Sequence, residues 1–301
     1  MVWSIVGRIR LENLIIGLVQ CNSLVGEKDK NLKATIEWVK KAKKKGVNLV
    51  SFPELNITGH AGHPLMISEA ESIPDGNSCQ ALMKLAQDFN IYIVAGIAEE
   101  ENGIHYNTQF MVGPQGFLGK QRKIHLSGDE YFYFRHGTRI PIFNTGEVKI
   151  GIIICYDNLL PEVSRCLAVQ GAELLLCPHA ARFGDWPLDL KKRRSIVERN
   201  KEEWKKIHRA RAYDNGCYVA LCNAVGKAIE SENVKANHAG GCMIIDPEGN
   251  VIKESKSKDI SEELVVFNLK GENVRKRRMQ SCFNLRTRRV ESFTILTQPT
   301  E

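Results

Sequence analysis

Three strand-like runs end on residues that can do chemistry. GIIIC (151–155) delivers Cys155, and the chain turns polar at once through Tyr156, Asp157 and Asn158. LVSFPE (49–54) ends on Glu54, and FLGKQRK (117–123) ends on Lys123. A thiolate is a nucleophile, and a strand that turns sharply into a helix presents its last side chain beside a helix N-terminus, where an anion is stabilised. Such a cysteine needs a base, and a carboxylate whose pKa is raised by burial can serve in place of histidine. The tetrahedral intermediate that follows needs backbone N–H groups or a cation on its oxyanion. Taken singly, each residue is ordinary. Cys155 is one of nine cysteines, Glu54 is a charge where a strand meets water, and Lys123 is one of 42 basic residues.

The elements that must position these residues alternate along the chain. Apolar runs predict strands at 14–20, 47–54, 91–99, 105–113, 117–123, 147–155, 172–179, 218–225, 240–246, 251–255 and 263–269. Helical spacing predicts helices at 28–45, 78–89, 161–170 and 187–214, the last very basic. Turns are signalled by Pro114-Gln115-Gly116 and by Pro247-Glu248-Gly249-Asn250. Residues 124–145 read as irregular and aromatic, and 271–301 as a short helix and a tail. No repeat, low-complexity block or linker interrupts the pattern, so 1–301 reads as a single domain. Early alternation with later hairpins predicts a mixed α/β sheet system with covering helices.

Composition narrows the class. The 301 residues are 43% hydrophobic and 26% charged, as in a globular protein with a sizeable core. Acidic residues are interleaved with the basic ones behind the net charge of +7, which reads as a solubility device. No nucleic-acid motif accompanies KKRR or RKRR, and GPQGFLGKQ (113–121) fails the spacing of a phosphate loop. The first twenty residues lack a clean signal peptide, and no apolar run is long enough to span a bilayer. The expectation is a cytoplasmic protein with mostly free core thiols, binding no membrane and no specific nucleic acid. Paired histidines and CxxC sets at zinc spacing are missing, so neither metal nor cofactor is expected.

Together the motifs are specific. FPELNITG, then KIHL with an acid seven residues after the lysine, then CYDNLLPEVSR occur in order. HRARAYDNGCYVALCNAVG (208–226) and GGCMIIDPEGNVI (240–252) follow. This pattern resembles the nitrilase superfamily of carbon–nitrogen hydrolases over nearly the whole chain. The resemblance implies a four-layer α-β-β-α sandwich and a Glu-Lys-Cys triad. Cys155 would be the nucleophile, Glu54 the general base, and Lys123 the oxyanion cation together with the N–H of Tyr156. Glu130 would be the second acid holding lysine and substrate, with adjacent Asp129 the alternative. The resemblance also implies a homodimer or larger assembly that uses the tail 271–301.

Nitrilases proper usually carry Trp-Glu-Asn after the cysteine. Tyr156-Asp157-Asn158 looks like the amidase and carbamoylase branches, so hydrolysis of an amide or N-carbamoyl group is expected. A nitrilase or a soluble N-acyltransferase using the same triad is the alternative. The usual tyrosine after TG is His60 here, a candidate for the pocket. CPHAARFGDW (177–186) would border the pocket in this fold, so His179 and Arg182 are candidates to bind a substrate carboxylate, Arg bidentately. Tyr133 is a further candidate for the pocket wall.

Overall fold

The computed structural model describes residues 10–183, 189–229, 236–256 and 261–298. The first strands and helices run β1 (Asn13–Gln20), α1 (Lys28–Lys44), β2 (Leu49–Ser51), α2 (Leu65–Ser68), α3 (Asn77–Phe89), β3 (Tyr92–Glu101), β4 (Ile104–Gly113) and β5 (Gly116–Arg122). A one-turn 3-10 segment, Gly128–Phe132, precedes β6 (Phe143–Asn144), β7 (Lys149–Ile152), α4 (Pro161–Val169), β8 (Leu174–His179) and β9 (Arg182–Phe183). The chain closes with α5 (Leu190–Asn215), β10 (Tyr218–Asn223), β11 (Val225–Lys227), β12 (Asn237–Ala239), β13 (Cys242–Ile245), β14 (Val251–Glu254), β15 (Glu263–Lys270) and α6 (Gly271–Met279). The predicted start of the basic helix at 187–188 lies outside the described residues.

Two six-stranded sheets result, ordered β15-β1-β2-β3-β4-β5 and β14-β13-β10-β8-β7-β6. Each has parallel strands at its centre and antiparallel strands at its flanks. The period-2 alternation of strands explains the layering. Ile16 and Leu18 of β1 meet Ile150, Ile152, Leu174 and Leu176 in a core between the sheets. The alternate residues face outward. Val19, Val50 and Ile93 pack under α1 and α3 through Val39, Ala42 and Leu82. Leu175, Cys177 and Val219 pack under α4 and α5 through Val163, Leu167 and Ala212. The architecture is the expected four-layer α-β-β-α sandwich. A third small sheet, β11-β12-β9, completes the strands; its members of two or three residues are too short to show a period.

One expectation changes. Strand β7 stops at Ile152, so Cys155 is not its last residue but opens a 3-10 turn, Cys155–Leu159. The stretch 271–301 opens with a short helix, α6, and the segment after it is packed in part. Val274 is buried in the inter-sheet core, and Phe283 and Leu285 are buried in the outer layer of the second sheet. Beyond them Val290, Phe293, Ile295 and Leu296 are exposed.

Helix α5 is fixed at both ends. Asp189 caps it by accepting the Lys192 N–H at 2.8 Å, and Gly216 ends it at φ +57°. Its outer face is the solvated charge surface the sequence predicts, with Lys205–Glu202 and Lys206–Glu203 pairs one turn apart. Its inner face buries His208, whose Nδ1 lies 2.8 Å from the Trp204 carbonyl. That carbonyl fixes Nδ1 as the donor, which leaves Nε2 of the neutral ring as an acceptor. Burial lowers His208 to about 4, and burial with a lesser contribution from His60 lowers His238 to about 4. Below the ordinary histidine value near 6.5 the unfolded chain therefore binds protons that the folded chain refuses. Stability is full above that value and is lost as pH falls toward 4. We expect Tm to drop across this window, and His208→Gln to make the pH slope shallower; an unchanged slope by calorimetry would argue against the buried neutral ring.

Candidate active site

The chemistry-bearing residues gather where strand ends of the two sheets face each other. Glu54 follows β2, Lys123 follows β5, Cys155 follows β7, and Ala180 follows β8. Crevices outside the carboxyl ends of strands are the usual place for ligands in such sheets. Two backbone features shape the approach. Leu55 and Cys155 hold φ of +48° and +47°, left-handed values uncommon for residues with a side chain. The turn after Glu54 presses onto Gly96, where an added Cβ would lie 2.4 Å from the Leu55 nitrogen, so only glycine admits it.

Glu54, Lys123 and Glu130 are almost wholly buried. Lys123 Nζ lies 2.7 Å from Glu54 Oε1 and 2.6 Å from Glu130 Oε2. Asn107 Nδ2 donates to Glu54 Oε1 at 2.8 Å and to Glu130 Oε1 at 2.9 Å. The Ala180 N–H donates to Glu54 Oε2 at 2.9 Å. Ser127 donates to Glu130 Oε2 through its N–H at 2.8 Å and its hydroxyl at 2.6 Å. Each buried charge is thus paired and hydrogen-bonded, as burial requires.

The charges shift one another. Burial alone would lower the Lys123 ammonium, but Glu54, Cys155 and Glu130 outweigh it and hold the pKa above its ordinary value. Burial opposes ionisation of Glu130, yet Lys123 and His60 hold its carboxyl well below the usual range. Burial, then Glu54, pushes the partly exposed Cys155 thiol well above its ordinary pKa, while Lys123 and the Ala180 N–H pull back only in part. This corrects the helix-terminus expectation: α4 begins only at Pro161, and the resting thiol keeps its proton. A base must therefore remove that proton, and Glu54 is the carboxylate whose charge acts most strongly on Cys155.

The remaining candidates divide. Asp129, the alternative to Glu130, turns away to pair with Arg182, Oδ1 to Nη2 at 2.5 Å. Arg182 therefore already holds a carboxylate, one that is about a third exposed (34%). Both side chains fill the space over Gly62, where a Cβ would lie 1.8 Å from Asp129 Oδ2. His60 is buried with Nε2 3.4 Å from Glu130 Oε1. Tyr156 points its ring toward solvent, and no acceptor among the described residues takes its N–H. Tyr133 is half-buried against the cluster that contains Leu55 and Phe134. The His179 ring meets Asn158, with Nε2 3.4 Å from Asn158 Nδ2, and makes no hydrogen bond to Glu54, Lys123 or Glu130. The ring stands on the outer face of β8, with Trp204 at 4.0 Å between ring centres and His208 Nε2 at 3.3 Å from its Nε2. Burial holds it neutral. The rest of CPHAARFGDW, residues 184–186, lies outside the described residues.

Two asparagines escaped the sequence reading. Asn107 bridges the two carboxylates from mid-strand, in a run of buried polar residues, Asn107-Thr108-Gln109, that a core strand does not ordinarily hold. Asn158 Nδ2 donates to the carbonyls of Ile153 at 3.1 Å and Cys155 at 2.9 Å, clamping both sides of the cysteine turn. Glu54, His60 and Glu130 also offer ligand atoms within 4.8 Å of one another, a possible cation set. The Lys123 ammonium contacts both carboxylates, which makes them a poor seat for a second cation.

The family described as carbon–nitrogen hydrolase matches residues 15–278. A protein named nitrilase from Pyrococcus abyssi is 32% identical over 287 residues, covering 92% of this chain and 98% of the relative. A 2-oxoglutaramate amidase from Bacillus subtilis is 32% identical over 244 residues, covering 79% of this chain and 85% of the relative. The crystal structure of Saccharomyces cerevisiae Nit3, a member of branch 10 of the nitrilase superfamily, superposes with TM-score 0.76 at 25% identity, covering 91% and 96% of the two chains. The chain belongs to the carbon–nitrogen hydrolase family, within the nitrilase superfamily.

Proposed function

We propose that the protein is an amidase that hydrolyses a small amide or N-carbamoyl compound through a thioester on Cys155. The observation that carries this reading is the buried contact of Lys123 with both Glu54 and Glu130, three charges that act together on the Cys155 thiol. Glu54 takes the thiol proton as sulfur attacks the carbonyl carbon. Lys123 and the free N–H of Tyr156 bear the oxyanion. Collapse breaks the C–N bond, and Glu54 returns the proton to the departing nitrogen. Water, deprotonated by Glu54, then attacks the thioester; the C–S bond breaks and Cys155 regains its proton. Glu130, through its 2.6 Å contact, keeps the ammonium in place between turnovers.

The Arg182–Asp129 pair supports an acidic substrate. A substrate carboxylate would replace Asp129 on the guanidinium, and one relative is named for an amide of such an acid. Another relative is named a nitrilase, and a nitrile carbon would meet the same thiol. The exposed apolar side chains Val290, Phe293, Ile295 and Leu296 support an interface between copies of this chain in the C-terminal stretch. Residues 1–301 act in this reading as one hydrolase domain.

The deciding experiment is ammonia release from amides, N-carbamoyl compounds and nitriles, with Cys155→Ala as the blank. Release from amides or carbamoyl compounds that vanishes in Cys155→Ala is expected; release only from nitriles would overturn the branch, and release by the variant the nucleophile. Glu54→Gln should lower kcat by about 10²–10⁴. Arg182→Ala should raise KM for acidic amides more than for neutral ones, and Asp129→Asn should lower it for acidic amides alone. Equal effects on both substrate types would remove Arg182 from substrate recognition.

A further inference from the structure

Asp157 stands two residues past Cys155, and its carboxylate is buried at 1% exposure. It faces across from the second sheet to the segment that follows Lys123. Its Oδ1 accepts the His125 N–H at 2.8 Å and lies 2.8 Å from His125 Nδ1; its Oδ2 accepts the Ile124 N–H at 3.2 Å. On the near side, its own N–H donates to the Ile154 carbonyl at 3.0 Å, which ties it to the cysteine turn. On the far side, the Lys123 N–H donates to Asn107 O at 2.8 Å and the Lys123 carbonyl accepts from Gly137 at 2.7 Å. The backbone of Lys123 is thus held by β4 on one side and, one and two residues later, by Asp157.

The acceptor count singles out a carboxylate. Two of the three donors are backbone N–H groups on consecutive residues, each meeting its own oxygen. An asparagine there would set an NH₂ against one of those N–H groups, whereas an ionised aspartate accepts at both oxygens. The carboxylate also sits where a lysine of one sheet and a cysteine of the other must keep a fixed separation.

We propose that Asp157 is a positioning residue that sets the distance between the Lys123 ammonium and the Cys155 sulfur. The inference rests on the reading of Cys155 as nucleophile and Lys123 as oxyanion cation. Lys123 and Glu130 come to Cys155 from the segment that Asp157 holds, Glu54 from the end of β2, and the Ala180 N–H from the end of β8. Lys123 is the side chain that most favours the thiolate, so a displaced ammonium leaves the thiol harder to ionise. It also leaves the oxyanion less well stabilised, and a misplacement of about 1 Å can cost on the order of 100-fold in rate.

The test compares Asp157→Asn and His125→Ala with the wild type. Two quantities are read: kcat and KM on the best amide, and the pH midpoint of iodoacetamide alkylation at Cys155. Alkylation is followed by mass spectrometry of the Cys155 peptide, because Cys166 and Cys282 are also exposed. Asp157→Asn should lower kcat at least about tenfold, change KM less than about threefold, and raise the alkylation midpoint. His125→Ala, which keeps both backbone bonds, should shift the midpoint the same way by less. A folded Asp157→Asn with wild-type kcat and midpoint overturns the inference. So does a fall in kcat matched by a smaller folded fraction with an unmoved midpoint. Should Asp157→Asn fail to fold, an unmoved midpoint in His125→Ala overturns it. Turnover that survives Cys155→Ala would instead bring down the nucleophile reading, and this inference with it.

Discussion

One ammonium between two carboxylates, sealed from water, is the constraint to which the rest of the site answers. Lys123, Glu54 and Glu130 cannot be buried singly, because each would carry an uncompensated charge into a medium of low polarity. Buried together they still hold two negative charges against one positive. The surplus is spread over neutral donors: the Asn107 amide, the Ser127 N–H and hydroxyl, and the Ala180 N–H. These donors come from β4, from the loop before the 3-10 turn and from the end of β8. The two sheets must therefore meet in one register for the charges to be tolerated at all. The sandwich positions the site, and the site in turn demands that arrangement of the sandwich.

The same charges define what the cysteine can be. A thiol beside a solvated helix terminus would ionise unaided. Here burial, and then Glu54, oppose that ionisation at a residue that is partly exposed and held in a left-handed backbone conformation. A protonated thiol is a poor target for chance oxidants and alkylating agents. In the proposed reaction its reactivity is released when proton transfer to Glu54 is coupled to attack on a bound carbonyl. Control of this kind suits an enzyme whose other cysteines are mostly buried and inert.

Much of this was legible in the sequence, for identifiable reasons. Glu54 and Cys155 each follow a contiguous apolar run, Lys123 sits in the short motif KIHL, and contiguous patterns survive reading in one dimension. The four layers came from the resemblance carried by the motifs, because β1, β8 and β10 read in the sequence as continuous apolar runs, whose two faces one dimension does not tell apart. The seven-residue offset from Lys123 also favoured Glu130 over adjacent Asp129, and Glu130 is the one that meets the ammonium. What was missed depended on direction in space. His179 ends the right strand, but the parity of β8 sends its ring to the outer face, under α5. The small third sheet is built from segments too short to show a period. The cysteine sits three residues past its strand because the Asn158 amide, not strand pairing, holds that stretch of backbone.

The Ala180 N–H has a consequence of its own. It donates to Glu54 Oε2 and is also among the groups that favour a thiolate at Cys155. One hydrogen serves one acceptor well at a time. In the proposed reaction the negative charge leaves Glu54 at the moment it appears on sulfur, and a backbone dipole fixed between them can follow it without either sheet moving. The peptide group then acts as a commutator, passing its stabilisation from base to nucleophile as the proton passes the other way. No side chain is involved, so what the role asks of position 180 is a backbone N–H, which proline lacks.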